Sequence, residues 1–220
     1  MTWTRTLRTR WLSFAVHLGA LSQLGLLVWD FFNDGLTADP VRGAILRTGK
    51  IALVLLVLSL ACTPVNTVLG FNQALKVRRA LGLYAFFFAC LHLFIFLVVD
   101  YGLDWGQLYD AVLDKAYALA GLAAFLLLIP LAVTSTKGWM RRLGPMWRTI
   151  HRWIYPASVL VAVHFIWLVK ADISEPVLYA IAIALLLALR LPPVRRLIAR
   201  IRGALIPRPA AIPRDKRLPE

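Results

Sequence analysis

Six apolar stretches, at about residues 11–32, 44–63, 80–99, 115–135, 150–169 and 176–191, alternate with short polar breaks along the chain. The breaks read NDGLTADP, TPVNTVLG, DYGLDWG, TKGWMRRLGP and ADISEP, rich in the proline, glycine and aspartate that stop helices. At ~1.5 Å rise per residue most of the runs reach across a ~30 Å hydrocarbon core, the last being the shortest. The pattern predicts an all-α integral membrane protein: a six-transmembrane-helix bundle over residues 11–191, with tails at 1–10 and 192–220. No internal repeat is visible in the letters. The first run has no small-residue cleavage site at its end, so it is expected to stay as a span rather than leave as a signal peptide.

Composition agrees with lipid as the solvent. Hydrophobic residues make up 60% of the 220, charged residues only 16%, and the mean hydropathy is +0.71, more apolar surface than a soluble domain carries. A net charge of +14 would suit nucleic acid if it were gathered on one face, but the bases sit in short segments between apolar runs, so no nucleic-acid partner is expected. Twenty of the 25 basic residues fall on one side of the alternating spans: Arg5, Arg8 and Arg10; Lys76, Arg78 and Arg79; Lys137, Arg141, Arg142, Arg148 and Arg152; and nine from Arg190 onward. Nine of the eleven acids fall on the other. The positive-inside rule then puts both termini in the cytoplasm. The proline-rich, basic end IPRPAAIPRDKRLPE is expected to be unstructured and to lie against anionic headgroups. Cys62 and Cys90 form no CxxC or CxxCH pattern, which argues against a disulfide framework, a zinc site and covalent haem attachment and leaves them as packing residues.

The candidate chemistry lies in four histidines, His17, His92, His151 and His164, all within or at the ends of the apolar runs. An imidazole in hydrocarbon costs free energy unless something binds it. Counted from the basic ends near residues 80 and 150, His92 and His164 lie about twelve and fourteen residues in, ~18 and ~21 Å along a helix, hence at nearly one depth in the outward half. Two imidazoles facing each other at one depth are what a planar haem needs for axial ligation from both sides. Phe86, Phe87, Phe88, Phe94, Phe96, Phe165 and Trp167 are candidates for its apolar slot. His151 precedes His164 by thirteen residues, which turns the two side chains about 140° apart at ~3.6 residues per turn unless Pro156 bends the helix. A second haem between His17 and His151 is conceivable, with depths that match less well. A bare metal ion is disfavoured, since no carboxylate or thiolate pattern accompanies the histidines.

With these residues in view, the sequence resembles MsrQ, the haem-binding membrane subunit of the bacterial periplasmic methionine-sulfoxide reductase system, within the ferric-reductase-like transmembrane superfamily. The resemblance is carried by HLGALSQLGLLVWD, LTADPVRGAILRTGKIAL, TPVNTVLG, RRALGLYAFFFACLHL, AVTSTKGWMRRLGPMWRTIHRWIY and HFIWLVK, which together cover residues 17–170. It implies a multi-pass haem b protein of the inner membrane that passes electrons to a periplasmic molybdopterin-dependent reductase, MsrP, from quinol or a cytoplasmic flavin reductase, the methionine-sulfoxide chemistry residing on the partner. It also implies haem ligation by His92 and His164, a haem-binding role for His151, and FMN, whose phosphate Arg78 and Arg79 could hold through charge-assisted bonds. Larger members of the superfamily carry two histidines on each of two helices, whereas the third run here has only His92.

Two other readings stay open. A stand-alone ferric reductase is weakened because the chain shows no FAD- and NAD(P)H-binding domain. A small transporter or assembly factor would predict carboxylates deep within spans, and Asp30, Asp100 and Asp114 all map to span ends.

Overall fold

The computed structural model describes the backbone of residues 2–205 and the side chains of residues 10–201 other than Ala199. Among these residues every regular element is helical: α1 (Thr2–Phe32), α2 (Pro40–Leu69), α3 (Gln73–Phe94), α4 (Trp105–Leu113), α5 (Ala116–Val133), α6 (Lys137–Leu143), α7 (Pro145–Ile150), α8 (Ile154–Leu168), α9 (Ser174–Ala188) and α10 (Pro192–Leu205). A π-helical turn, Ile95–Asp100, extends α3, and a 3-10 turn, His151–Trp153, leads from α7 into α8.

The boundaries follow from local chemistry. Asp39 accepts the Arg42 backbone N–H at 3.0 Å and Pro40 opens α2 behind it, a cap whose loss costs about 1 kcal/mol. Asp104 caps α4 by accepting from the N–H groups of Gly106 and Gln107, and the Thr136 hydroxyl accepts from the N–H of Trp139 at the start of α6.

The six expected spans are matched by four helices long and apolar enough to cross a bilayer, within residues 10–32, 40–69, 73–100 and 116–133. They become five if α9 and the start of α10 count as one span bent by 76°. The last two runs fall short because each is interrupted. The 3-10 turn takes three residues out of the run at 150–169, leaving α8 with 15, and α9 also ends after 15. The expected tails differ as well: α1 begins at Thr2, inside residues 1–10, and residues 192–205 are helical. The proline-rich end, 206–220, lies outside the described residues.

Two helical hairpins make the most extensive contacts, α2 with α3 and α5 with α8. Leu53, Leu56 and Leu60 of α2 and Leu81, Ala85 and Phe88 of α3 form a core that reaches Ala162 of α8 and Ile183 of α9. Phe88 and Leu60 are each 1% exposed, so each contributes about 1.5–3 kcal/mol of transfer free energy measured against water. α1 packs on α3 and turns Trp11, Leu18, Trp29 and Phe32 outward, an apolar surface suited to acyl chains and not to water. Cys62 is a buried free thiol and Cys90 a partly buried one.

Asp30 of α1 pairs with Arg47 of α2, and Lys50 of α2 with Glu175 of α9 at 2.5 Å. Pro64 lies inside α2 and has no N–H to offer the Leu60 carbonyl four residues back. Arg190, in the turn after α9, supplies that donor from Nη2 at 2.6 Å while its guanidinium lies 6.0 Å from the Tyr155 ring centre. Arg190→Leu should therefore destabilise the protein by about 1–3 kcal/mol, the cost of a buried acceptor left unpaired. Pro64→Ala restores a backbone donor to Leu60, so the double variant should recover part of the loss in thermal unfolding in detergent. A double variant no more stable than Arg190→Leu alone would show that the carbonyl is not what Arg190 serves.

Candidate functional site

His92 sits in the last turn of α3 and His164 in the second half of α8, half-buried, with ring centres 6.2 Å apart and planes crossing at 83°. Each is fixed by a backbone carbonyl from the partner helix of its own hairpin. His92 Nδ1 bonds the Ile45 carbonyl of α2 at 2.8 Å, and His164 Nδ1 bonds the Tyr117 carbonyl of α5 at 2.6 Å. A carbonyl only accepts, so both Nδ1 atoms carry the hydrogen and both Nε2 atoms keep a lone pair. This is the arrangement of metal-ligating histidines, in which the outer nitrogen donates to a carbonyl and sets the tautomer.

The ring-centre spacing of 6.2 Å equals that of two imidazoles sharing one ion with both Nε2 atoms on the line of centres. Two nitrogen–metal bonds of about 2.0–2.1 Å, plus about 1.1 Å from each nitrogen to its ring centre, span about 6.2–6.4 Å. Among the described residues no group of three or more His, Cys, Asp or Glu could complete a protein-only metal site. Two neutral nitrogens in an apolar setting suit a planar tetrapyrrole, which brings its own four equatorial ligands.

The walls are only partly those expected. Phe86 stacks on Phe125 of α5 with ring centres 5.6 Å apart, Phe96 packs on Tyr101 at 4.8 Å, Phe88 belongs to the core described above, and Phe165 packs against that core. Phe87, Phe94 and Trp167 are about half exposed and face outward. Periodicity without a known neighbour could not separate these from the inward set.

The other two histidines have separate surroundings. His151 opens the 3-10 turn, its ring stacked on Trp147 at 3.9 Å and its Nδ1 3.1 Å from the Trp147 carbonyl. His17 meets Tyr84 of α3, with Nδ1 and the phenolic oxygen 2.9 Å apart. It lines a cleft of about 510 Å³ between α1 and α3, together with Lys76, Arg79, Tyr84, Phe87 and Phe88. The structure thus brings His92 and His164 together and leaves His17 and His151 with different partners. Arg78 and Arg79 also diverge. Arg78 donates to the Thr63 hydroxyl at 3.2 Å and its carbonyl accepts from Ser59, tying it to α2, whereas Arg79 turns to the cleft. The carbonyls of Ile45 and Tyr117 are functional groups that residue types alone did not point to.

Residues 48–162, from Thr48 of α2 to Ala162 of α8, match the family described as ferric reductase like transmembrane component. That defines the class: a multi-pass helical membrane domain. The chain is 47% identical over 181 residues, 80% of its length and 83% of the relative's, to the protein-methionine-sulfoxide reductase heme-binding subunit MsrQ of Xanthomonas axonopodis pv. citri. It is 46% identical over 181 residues to the MsrQ of Xanthomonas oryzae pv. oryzae, with the same coverage of 80% and 83%. Against the MsrQ of Rhodospirillum rubrum it is 45% identical over 175 residues, 77% of the chain and 84% of the relative. The chain belongs to the MsrQ family. No solved structure matches it significantly.

Proposed function

We propose that this protein is a six-span haem b electron-transfer subunit of the bacterial inner membrane, with both termini cytoplasmic. It takes electrons from quinol or a cytoplasmic flavin reductase and delivers them to a periplasmic molybdopterin-dependent methionine-sulfoxide reductase, MsrP. The observation that carries the reading is the His92 and His164 pair, 6.2 Å apart with both Nδ1 atoms committed to carbonyls; the relatives' name as heme-binding subunits supports it. A bound haem supplies one-electron iron chemistry. The protein's part is to present two oriented nitrogens, hold them in the neutral tautomer and keep water away. One haem is proposed, because His92 and His164 are the one pair among the four histidines whose rings meet. An FMN bound by this chain would find a phosphate partner in Arg79 of the α1/α3 cleft, Arg78 being tied to Thr63.

His92→Ala and His164→Ala should each strip the purified protein of most of its haem, while His17→Ala should leave the Soret and alpha bands in place. Wild-type haem content in both of the first two variants, measured by pyridine haemochrome, rules out the pair as the axial ligands. Orientation is tested by a reporter fused after Glu220, which should be active only in the cytoplasm; periplasmic activity reverses the direction of electron flow.

The outward loops carry most of the acids, and two pairings trim that charge, Asp30 with Arg47 and Glu175 with Lys50. Asp104 and Asp172 keep theirs. Bonds from the backbone and side chain of Gln107 hold the Asp104 carboxyl below its usual range, and bonds from Ser174 do the same for Asp172. Both therefore stay ionised to lower pH than a free aspartate, and the face they share stays negative. Asn at positions 100, 104 and 110 together retains a capping side chain at 104, and it should slow electron delivery to the periplasmic reductase without changing haem content. Rising salt should do the same, as the Debye length shrinks below ~8 Å. Rates indifferent to both would remove the electrostatic docking face.

A further inference from the structure

Two glycines sit against the two histidines. A Cβ built on Gly121 would lie 2.7 Å from Nδ1 and 2.9 Å from Cε1 of His164, and one on Gly49 would lie 3.0 and 3.1 Å from the same atoms of His92. Ordinary contact between such atoms is about 3.5–4.0 Å. Among the other helical glycines, Gly43 is also tight, its Cβ lying 2.9 Å from the Thr37 hydroxyl, whereas a Cβ on Gly19 or Gly25 meets no atom within 4 Å and one on Gly82 meets only the Ser59 hydroxyl at 3.4 Å.

The pair is built twice in one register. Ile45, Gly49 and His92 in the first hairpin correspond to Tyr117, Gly121 and His164 in the second, each 72 residues later. In both, the carbonyl lies 47 residues before the histidine that bonds it, and the glycine follows the carbonyl by one helical turn. The same register pairs Thr48 with Ala120 and Ala85 with Ala157, all buried. The chain therefore holds an internal repeat in geometry that its letters do not display.

A glycine inside a helix costs about 0.5–1 kcal/mol relative to alanine. We infer that Gly49 and Gly121 are positioning residues for the two haem-binding imidazoles: the bare helix surface at each lets a ring lie close enough to donate Nδ1–H to the carbonyl one turn away, which fixes ring plane and tautomer. This rests on the haem reading above. A methyl group at 121 must push the His164 ring off the Tyr117 carbonyl; one at 49 presses less on His92, so the two effects are graded.

The test uses the full chain in detergent. Haem affinity of the apoprotein should weaken by about 10–100-fold in Gly121→Ala, the range for loss of an outer-shell partner, and by less in Gly49→Ala. Both should shift the low-spin ferric EPR signal and the reduction potential, while Gly19→Ala should match wild type. A purely structural glycine, needed only to let helices approach, would instead change thermal stability and leave the EPR signal, potential and affinity of the folded fraction untouched. In a His164→Gly background with free imidazole as ligand, adding Gly121→Ala should cost nothing further, because the ring it displaces is gone. Should Gly121→Ala alone fail to fold, that double variant should fold; a double variant that also fails overturns the inference. Wild-type EPR, potential and affinity in both alanine variants also overturn it while leaving the haem reading intact, whereas a wild-type chain that takes up no haem overturns the haem reading itself.

Discussion

The structure turns on one hydrogen bond made twice, from an imidazole Nδ1 to a main-chain carbonyl of the neighbouring helix. In hydrocarbon neither group can fall back on water, and an imidazole with an unpaired N–H costs several kcal/mol. The bond answers that cost and leaves the second nitrogen available. It also dictates the hairpins. To meet a carbonyl near the start of α2, His92 must stand near the end of α3; to meet one near the start of α5, His164 must stand near the end of α8. Both rings consequently arrive at the same end of the bundle, where one ligand plane can lie between them.

The doubled design also accounts for what is missing. In the 72-residue register the counterpart of His151 is Arg79, so the first hairpin offers a cation where the second offers a ring. Arg79 turns to the α1/α3 cleft and His151 leans on Trp147, whose indole N–H is anchored on the Thr134 carbonyl. Two rings can share an ion only if both hairpins supply one at the same level. Among the four histidines, only the rings of His92 and His164 meet.

Much of this was legible in the sequence, and the parts that were not share a cause. Four of the six spans and the meeting of His92 with His164 follow from one-dimensional quantities, apolar run length and residues counted from a basic end, so they could be read directly. The interruption at His151–Trp153, the outward turn of Phe87, Phe94 and Trp167, and the tie from Arg190 to Leu60 depend on which helices become neighbours. The repeat escaped notice because it is written in backbone groups and in the absence of a side chain. Ile45 and Tyr117 share no chemistry as residues, yet they contribute the same carbonyl. Gly49 and Gly121 matter for a Cβ that neither has.

One consequence concerns the route between the ends of the bundle. Tyr84, Phe88 and His92 recur every fourth residue on α3 and so form one stripe along the helix. Tyr84 touches His17 in the cleft, Phe88 is fully buried, and His92 faces His164. Eight residues separate Tyr84 from His92, ~12 Å at helical rise, with the buried Phe88 ring between them on the stripe. On the proposed reading, the cleft end carries the cations Lys76 and Arg79 while the other end carries the acids of the outward loops. A negatively charged donor is therefore drawn to one end and a positively faced acceptor to the other. The charge asymmetry that sets topology in the membrane would then also set which partner meets which end of α3.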